Sequence, residues 1–459
     1  MNYYIHTFGC QMNYSDSERI ASYLNSLGFK KASKAQKADF VIFNSCSIRQ
    51  KGEDKVVGQI RETARRKKQN PNLLIALTGC MVRHSSTQKT PKDLQDKSLR
   101  RLSHLDIAFR IEDLPKLKSL ISNSLKSPEI ESQKNYFHIK PDYTSTFQAF
   151  IPISTGCDKF CTYCIVPYAR GREVSRPLKE ILQEATHLVE NGCKEITLLG
   201  QTVDSYGLSP IDRKAGLFNY TEVDAGKLPP PFVQLLNKID KLHKKGLKRL
   251  RFTSPHPKDV SPELIEAYGK LKTLMPHIHL PIQSGDNTCL KRMNRPYTTK
   301  RYIEIINALR ASCPDIAITT DIIVGFCGET EKEFKNTLDL YGKVGFDFCF
   351  IGQYSTRKGT YASQHLIDDV SREKKLKRWH ILNSLLKKIT HEKLAKFIGS
   401  EVEVLVEKST TKAKNFLYTG TTPHNKVVQF TSPRKNLVGT FQNVGIKKAE
   451  NWLLHGELI

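Results

Sequence analysis

Cys157, Cys161 and Cys164 stand within "ISTGCDKFCTYCIVPY" at C-x3-C-x2-C spacing. Thiolates are soft ligands that select zinc or iron–sulfur clusters. On a helix, the outer two would be separated by roughly 10 Å of rise. That is too far for neighbouring corners of one compact inorganic cube. A loop after the strand-like "FIPIS" suits the spacing better, with Gly156 easing the turn. Structural zinc closes with four ligands, often as two C-x2-C pairs, and no second pair exists here. Three thiolates on a four-iron cube leave one iron open to a substrate. Zinc and chance spacing are the competing readings.

Three further cysteines each end an apolar run: "YYIHTFGC" at Cys10, "DFVIFNSC" at Cys46 and "LLIALTGC" at Cys80. Between the first two, "SDSERIASYLNSLG" has the stripe of an amphipathic helix in Ile20, Leu24 and Leu27. Ser15 and Glu18 stand at capping-box spacing and Gly28 stands at the stop. Alternating strands and helices imply a parallel sheet, whose ligand sites lie beyond the carboxyl ends of the strands. Three thiols at such ends can converge although they are far apart in sequence. The bland alternative is three buried core cysteines.

These elements divide the chain. Residues 1–125 read as an N-terminal parallel α/β domain. Residues 126–147, "KSPEIESQKNYFHIKPDYTSTF", lack periodicity and read as a linker. From 148 to 390, "AFIPISTGC", "EITLLGQ", "KRLRFTSPHP", "HIHLPIQSG", "IAITTDIIVGF" and "FDFCFIGQYS" alternate with helical segments. One such segment carries Ile181, Leu182, Ala185, Leu188 and Val189 between Pro177 and Gly192. Another opens with Thr330 and Glu333 at capping-box spacing. Six strands with crossover helices predict a partial (β/α)6 barrel whose carboxyl-end loops carry the active site. Residues 395–459 alternate in "EVEVLVEK" and continue in "KVVQF", "LVGTFQNVGI" and "WLLHGEL", predicting a small all-β barrel of a size common among RNA-binding modules.

The 459 residues suffice for about two to four domains. The apolar runs are too short to span a bilayer, and the amino terminus reads directly into a strand rather than a secretory signal. A cytoplasmic protein without a membrane partner is expected. An odd count of eleven cysteines argues against a disulfide framework and favours metal or redox chemistry. Lys and Arg number 72 against 46 Asp and Glu, a net charge of +26. Basic stretches such as "ARRKK", "HKKGLKRLR" and "REKKLKR" spread that charge over the chain, so a broad docking face for a polyanion, RNA above all, is expected.

The cysteine loop at the end of a first barrel strand resembles the radical S-adenosylmethionine (radical SAM) superfamily. The three-part order is similar to that of its methylthiotransferases, with a C-terminal TRAM domain. The matching stretches are "GCQMNYSDSERI", "CTYCIVPYARGREVSRP", "HLPIQSGDNTCLKRMNRPYT" and "DIIVGFCGETEKEF". The resemblance implies two [4Fe-4S] clusters, one on Cys157, Cys161 and Cys164 and an auxiliary one on Cys10, Cys46 and Cys80. It also implies two molecules of S-adenosylmethionine per turnover, and Tyr163 as the aromatic before the last cluster cysteine. "GCQMN" and "VPYARGREVSRP" look like the branch that inserts sulfur and methyl at C2 of N6-isopentenyladenosine beside the tRNA anticodon, at position 37. Methylthiolation of threonylcarbamoyladenosine in tRNA, or of a ribosomal protein, is the alternative within the family. A metal-stabilised RNA-binding protein is the alternative outside it. The implied partners are tRNA carrying isopentenyladenosine and a flavodoxin or ferredoxin as electron donor, and a monomer is the simplest expectation. The chain departs from the family at "GQTVDSYG" (Thr202 and Asp204), at Cys327 in "GFCGET", and at "YSTRKGT".

Position at the predicted carboxyl ends of barrel strands singles out Gly200, Gln201, Ser254, His256, Gln283 and Asp321 for cofactor or base contact. Bland loop polarity is the alternative, and His256 between two prolines fits a loop brace. Arg295, Arg357, Lys426 and Arg434 are candidate RNA contacts. Phe416, Tyr418 and Phe430 fit either RNA stacking or a core. Cys193, Cys289, Cys313, Cys327 and Cys349 follow no ligand spacing and read as packing or free thiols.

Overall fold

The computed structural model describes residues 1–47, 50–83, 99, 102, 104–125, 136–215, 229–412 and 415–459. The first sheet is parallel throughout, in the order β2–β1–β3–β4–β5. Its strands are β1 (Asn2–Thr7), β2 (Lys30–Lys31), β3 (Phe40–Ser45), β4 (Leu74–Gly79) and β5 (Ile107–Ala108). Every residue of β3 and β4 is buried, because the sheet is covered on both faces and an unbroken apolar run satisfies both. The helix Gln11–Ser26 packs Ile20 and Leu24 on one face with Tyr3, Phe40 and Ile42. The helix Gln50–Arg65 packs Val56 and Ile60 on the other with Val41 and Phe43.

The first helix corrects one expectation. It begins at Gln11, with Cys10 as N-cap and Asn13 completing the box. Ser15 and Glu18 are therefore inside it. Ser15 accepts from Arg19 Nη1 (3.1 Å), and Glu18 accepts the Thr144 amide (2.9 Å). Gly28 does end the helix, with φ +84°.

The central unit is a six-stranded partial barrel. Strands β6 (Gln148–Pro152), β9 (Glu195–Leu199) and β10 (Arg249–Phe252) pair in parallel, as do β11 (His277–His279), β12 (Ala317–Val324) and β13 (Phe348–Gln353). A parallel bridge from Leu250 to Leu274 joins the two halves. A short antiparallel pair, β7 (Ser154–Thr155) and β8 (Val174–Ser175), flanks the cysteine loop. The helices Leu178–Glu190 and Glu331–Val344 form as predicted, the second with the Thr330–Glu333 capping box. On β12, Ile318, Ile322 and Val324 enter the core shared with the helices, while Thr319, Asp321 and Ile323 are half-buried on the opposite, inner face.

The last unit is a closed barrel, β14 (Glu401–Lys412), β15 (Asn415–Thr421), β16 (Val427–Ser432), β17 (Phe441–Glu450) and β18 (Leu453–Leu458). Sequence periodicity left β15 unassigned. Tyr418 and Phe430 are buried in its core with Val404 and Val444, which decides for packing over RNA stacking. This barrel sits against the amino ends of the central strands. Arg249 Nη1 donates to Thr421 O (2.8 Å), Arg251 Nη2 to Thr422 O (2.9 Å) and Lys194 Nζ to Gly439 O (2.7 Å). Asp347, just before β13, binds Lys426 (2.6 Å) and Lys393 (2.8 Å). Lys426 is therefore a buried latch between the barrels and not an RNA-facing cation.

Of the expected linker, residues 126–135 lie outside the described residues. The remainder packs rather than hangs free: Tyr136 Oη donates to Asp16 Oδ1 (2.6 Å) and Thr144 Oγ1 to Glu18 Oε1 (2.8 Å). No helix among the described residues is long and apolar enough to cross a membrane.

Candidate active site with two thiol triads

Cys157, Cys161 and Cys164 occupy the irregular segment between β7 and the short helix Val166–Arg170. Gly156 makes the turn into it at φ +75°. A Cβ there would lie 2.1 Å from Arg172 O, so no other residue fits without moving the backbone. The Cys157 amide donates to Gly171 O (3.2 Å) and the Cys164 amide to Cys161 O (2.9 Å). Thr162 ties the loop to the far half of the barrel through Oγ1 to Arg292 O (2.9 Å).

The three thiols act on one another. Burial pushes the Cys157 thiol up to about 11, with Cys161 adding to the rise and the Thr202 hydroxyl opposing it. Burial raises Cys164 further, with Cys161 and Cys157 adding. Thiols raised in this way, as at Cys157 and Cys164, become thiolates when a metal cation neutralises them. Among the described residues no three His, Cys, Asp or Glu side chains converge on a single-ion position. A four-iron cube takes its thiolates at separate corners, further apart than the ligands of one ion. The donor set fits such a cube.

The second triad forms where β1, β3 and β4 end side by side. The registers Thr7 to Asn44 and Asn44 to Thr78 bring Cys10, Cys46 and Cys80 to one edge. A Cβ on Gly9 would stand 2.7 Å from the Cys46 Cβ. Two fully buried asparagines fix this edge. Asn13 Nδ2 donates to Asn44 Oδ1 (3.0 Å), Asn44 Nδ2 donates to Asn13 O (2.7 Å), and the Cys10 amide donates to Asn13 Oδ1 (3.3 Å). Cys10 is open to solvent, yet the surrounding protein raises its thiol, with Cys80 adding and Arg170 opposing.

The triads are neighbours. Cys80 contributes to the rise at both Cys10 and Cys164. Arg170 stands between them, its Nη2 on Asp16 Oδ2 (2.6 Å). Burial opposes its charge, but Asp16, Cys80 and Cys10 outweigh burial and hold it protonated. Sequence reasoning quoted "YARGR" without singling out Arg170, and it passed over Asp16, Asn13 and Asn44. Their only signal was their place inside the quoted stretches.

The carboxyl-end residues divide into two groups. Around the cysteine loop, Tyr163 packs edge-on to Phe326 (6.2 Å). Gly200 lies so close to Ser154 that a Cβ would stand 2.7 Å from Oγ, and Gln201 is half-buried beside it. His256 is buried, accepts the Lys258 amide at Nδ1 (3.2 Å) and stacks edge-on to Tyr297 (5.5 Å). Burial, Arg295, Lys159 and Lys258 hold its imidazole well below its ordinary value. Neutral at pH 7, it braces the loop. Ser254 and Gln283 adopt φ +58° and +73°. On the inner barrel face, Asp321 Oδ2 stands 3.5 Å from His279 Nε2, and Asp321 O accepts the Gln283 amide (2.8 Å).

The departures from the family pattern at 202 and 204 face this loop. Thr202 Oγ1 lies 3.2 Å from Cys157 Sγ. Asp204 accepts the His256 amide at both carboxylate oxygens (2.9 and 2.8 Å). Burial and the nearby Asp259 raise its carboxyl well above the ordinary range, and Asp259 binds Lys159 of the cysteine loop.

The four RNA candidates separate. Arg295 is buried with its guanidinium toward Cys161 Sγ (3.6 Å), so it is no RNA-facing cation. Arg357 is buried too, with Nη1 on Gln50 Oε1 (3.0 Å) and 3.5 Å from Glu53 Oε1. It joins the central barrel to the N-terminal unit beside Cys46. Lys426 is the latch described above. Arg434 alone is exposed. Cys193, Cys289, Cys327 and Cys349 are buried packing and Cys313 is half-buried.

Comparison with known proteins finds relatives for all three units. Residues 151–341 match the radical SAM superfamily, residues 2–98 match the uncharacterized protein family UPF0004, and residues 395–459 match the TRAM domain. The tRNA-2-methylthio-N(6)-dimethylallyladenosine synthase of Thermoanaerobacter sp. (strain X514) is 40% identical over 465 residues, covering 100% of this chain and 92% of the relative. The protein of the same name from Anoxybacillus flavithermus (strain DSM 21510 / WK1) is 38% identical, covering 100% and 82%. Among solved structures, the radical S-adenosylmethionine methyltransferase TsrM from Kitasatospora setae superposes with a TM-score of 0.54 at 12% identity, over 90% of this chain and 78% of that one. That likeness is one of fold.

Proposed function

The chain belongs to the tRNA-2-methylthio-N(6)-dimethylallyladenosine synthases, radical SAM methylthiotransferases, and on that premise we propose that its two thiol triads hold two [4Fe-4S] clusters facing one substrate cavity. The product is 2-methylthio-N6-isopentenyladenosine in tRNA. The observation that supports the two-cluster reading is geometric: the strand ends of β1, β3 and β4 bring Cys10, Cys46 and Cys80 to one edge, and the helix that Cys10 caps is joined to the helix after Cys164 by the Asp16–Arg170 pair (2.6 Å).

Cys157, Cys161 and Cys164 would hold the cluster with the open iron, and Cys10, Cys46 and Cys80 the auxiliary one. Bound there, the clusters and S-adenosylmethionine would supply what side chains lack: an electron at low potential, a carbon radical able to take hydrogen from C2 of a purine, and the sulfur to replace it. The protein does the positioning. Gly156 and the Lys159–Asp259 pair fix the cysteine loop. Asn13 and Asn44 fix the strand ends opposite. The Arg170–Asp16 pair locks the two units in register. Gly200, Gln201, Ser254 and Gln283, beyond the carboxyl ends of their strands, and Asp321, which lies in mid-β12 on the inner face and not at the expected carboxyl end, are the positions from which cofactor and base would be held. The target base must be splayed from its stack to enter.

The net charge of +26 suits the polyanionic substrate. A cytoplasmic monomer receiving electrons from a flavodoxin or ferredoxin completes the proposal. The reaction is tested by nucleoside mass spectrometry. The anaerobically reconstituted protein is given reductant and S-adenosylmethionine, with isopentenylated and threonylcarbamoylated tRNA in parallel. A methylthio mass gain on the isopentenylated nucleoside alone is expected. Gain on the threonylcarbamoylated one instead overturns the substrate, and no 5′-deoxyadenosine with either overturns the chemistry.

A further inference from the structure

We propose that the Thr202 hydroxyl and the Arg295 guanidinium donate hydrogen bonds to the Cys157 and Cys161 thiolates and so set the reduction potential of the cluster those cysteines hold. This rests on the reading of Cys157, Cys161 and Cys164 as its ligands.

Thr202 ends the turn after β9, is 2% exposed, and places Oγ1 3.2 Å from Cys157 Sγ. Between two neutral groups either atom could donate. A metal-bound thiolate carries no proton, so the hydroxyl must be the donor. The turn is itself held: Thr202 O accepts the Ser205 amide (3.3 Å), and the adjacent Asp204 is clamped on the His256 amide. These contacts and its burial hold the turn that presents the hydroxyl to Cys157.

Arg295 approaches from the other half of the barrel, after the helix Asn287–Arg292. Its Nε donates to Tyr297 Oη (2.6 Å), its Nη2 to Pro281 O, and its Nη1 to Cys161 Sγ (3.6 Å). A guanidinium is always charged and is costly to bury without an anion. Of the three groups its nitrogens reach, a phenol oxygen, a backbone carbonyl and the Cys161 sulfur, only the sulfur becomes an anion on binding a metal. Each donor serves a different thiolate, and they reach the loop from opposite sides.

A cluster that accepts one electron gains negative charge, part of it on sulfur. Hydrogen bonds to those sulfurs and a nearby cation stabilise the reduced form and raise the potential. Both side chains act through the ligands and are positioning residues.

The test is a potentiometric titration followed by electron paramagnetic resonance, with dithionite as reductant. The full chain carries C10A, C46A and C80A so that one cluster reports. T202V keeps the shape and removes the donor. At fixed poise its reduced-to-oxidised ratio is expected to fall several-fold, where tenfold corresponds to about 59 mV for one electron. T202S keeps a hydroxyl and is expected to titrate with the parent, and R295M is expected to fall below T202V. A T202V curve superimposed on the parent overturns the proposal, as does a T202S curve displaced as far as T202V. If T202V takes up no iron, T202A replaces it under the same criteria. Failure of the ligand assignment looks different, because the parent itself would then hold no iron or give no one-electron signal.

Discussion

Two imidazoles make this protein sensitive to acid, His256 beside the cysteine loop and His277 at the amino end of β11. His256 and His277 are both held well below the ordinary value near 6.5, chiefly by burial, with Arg295 the next cause for His256 and Arg251 for His277. In the unfolded chain both are protonated below that value, while the folded protein keeps them neutral. The unfolded state then binds more protons, so stability is full above pH 6.5 and declines as pH falls below it. Thermal melts from pH 8 to 5.5 should show this decline, and His256→Gln should flatten it. A variant with the same slope as wild type would remove His256 from the account. At this scale the six candidate cysteines stood out in the sequence, since each ends an apolar run or sits in a dense motif. It was silent on Arg170, whose partner Asp16 is 154 residues away. It misjudged Arg295 and Lys426, because a cation's sequence neighbours do not reveal whether Cys161 or Asp347 will cover it.

Strand ends are the devices that turn a parallel sheet into a ligand site. The alternation of apolar runs and helices made the sheet, the six central strands and most of the final barrel readable in advance. The start of the first helix was misread because Ser15 and Glu18 mimic a capping box, while the true cap is the candidate ligand Cys10. Gly79 shows how tightly such an end is built. At φ +84°, a Cβ would stand 2.3 Å from Ser45 O and 2.8 Å from Ser45 N. Gly79→Ala must therefore move backbone between β3 and β4, at a cost of about 2–4 kcal/mol from strain and steric overlap. Urea unfolding should register that loss. Iron content should fall toward half, since Cys80 follows directly while the Cys157 loop stands on another unit. Unchanged stability and iron would mean that the strand end is more pliant than its contacts indicate.

The whole molecule is three units locked at two seams. The Asp16–Arg170 pair and the Arg357 contacts join the N-terminal sheet to the carboxyl ends of the central barrel. Asp347, held below the ordinary carboxylate range by Lys426 and Lys393 against the opposing effect of burial, fastens the C-terminal barrel to the amino ends. Neither seam was visible in the sequence, because each is made by residues that are unremarkable in their own segments. The central claim is that the two triads divide the labour, one generating the radical and the other supplying sulfur. The C10A/C46A/C80A protein, given isopentenylated tRNA, S-adenosylmethionine and dithionite, should still release 5′-deoxyadenosine while the nucleoside gains no methylthio mass. A retained methylthio product in that protein would contradict the account.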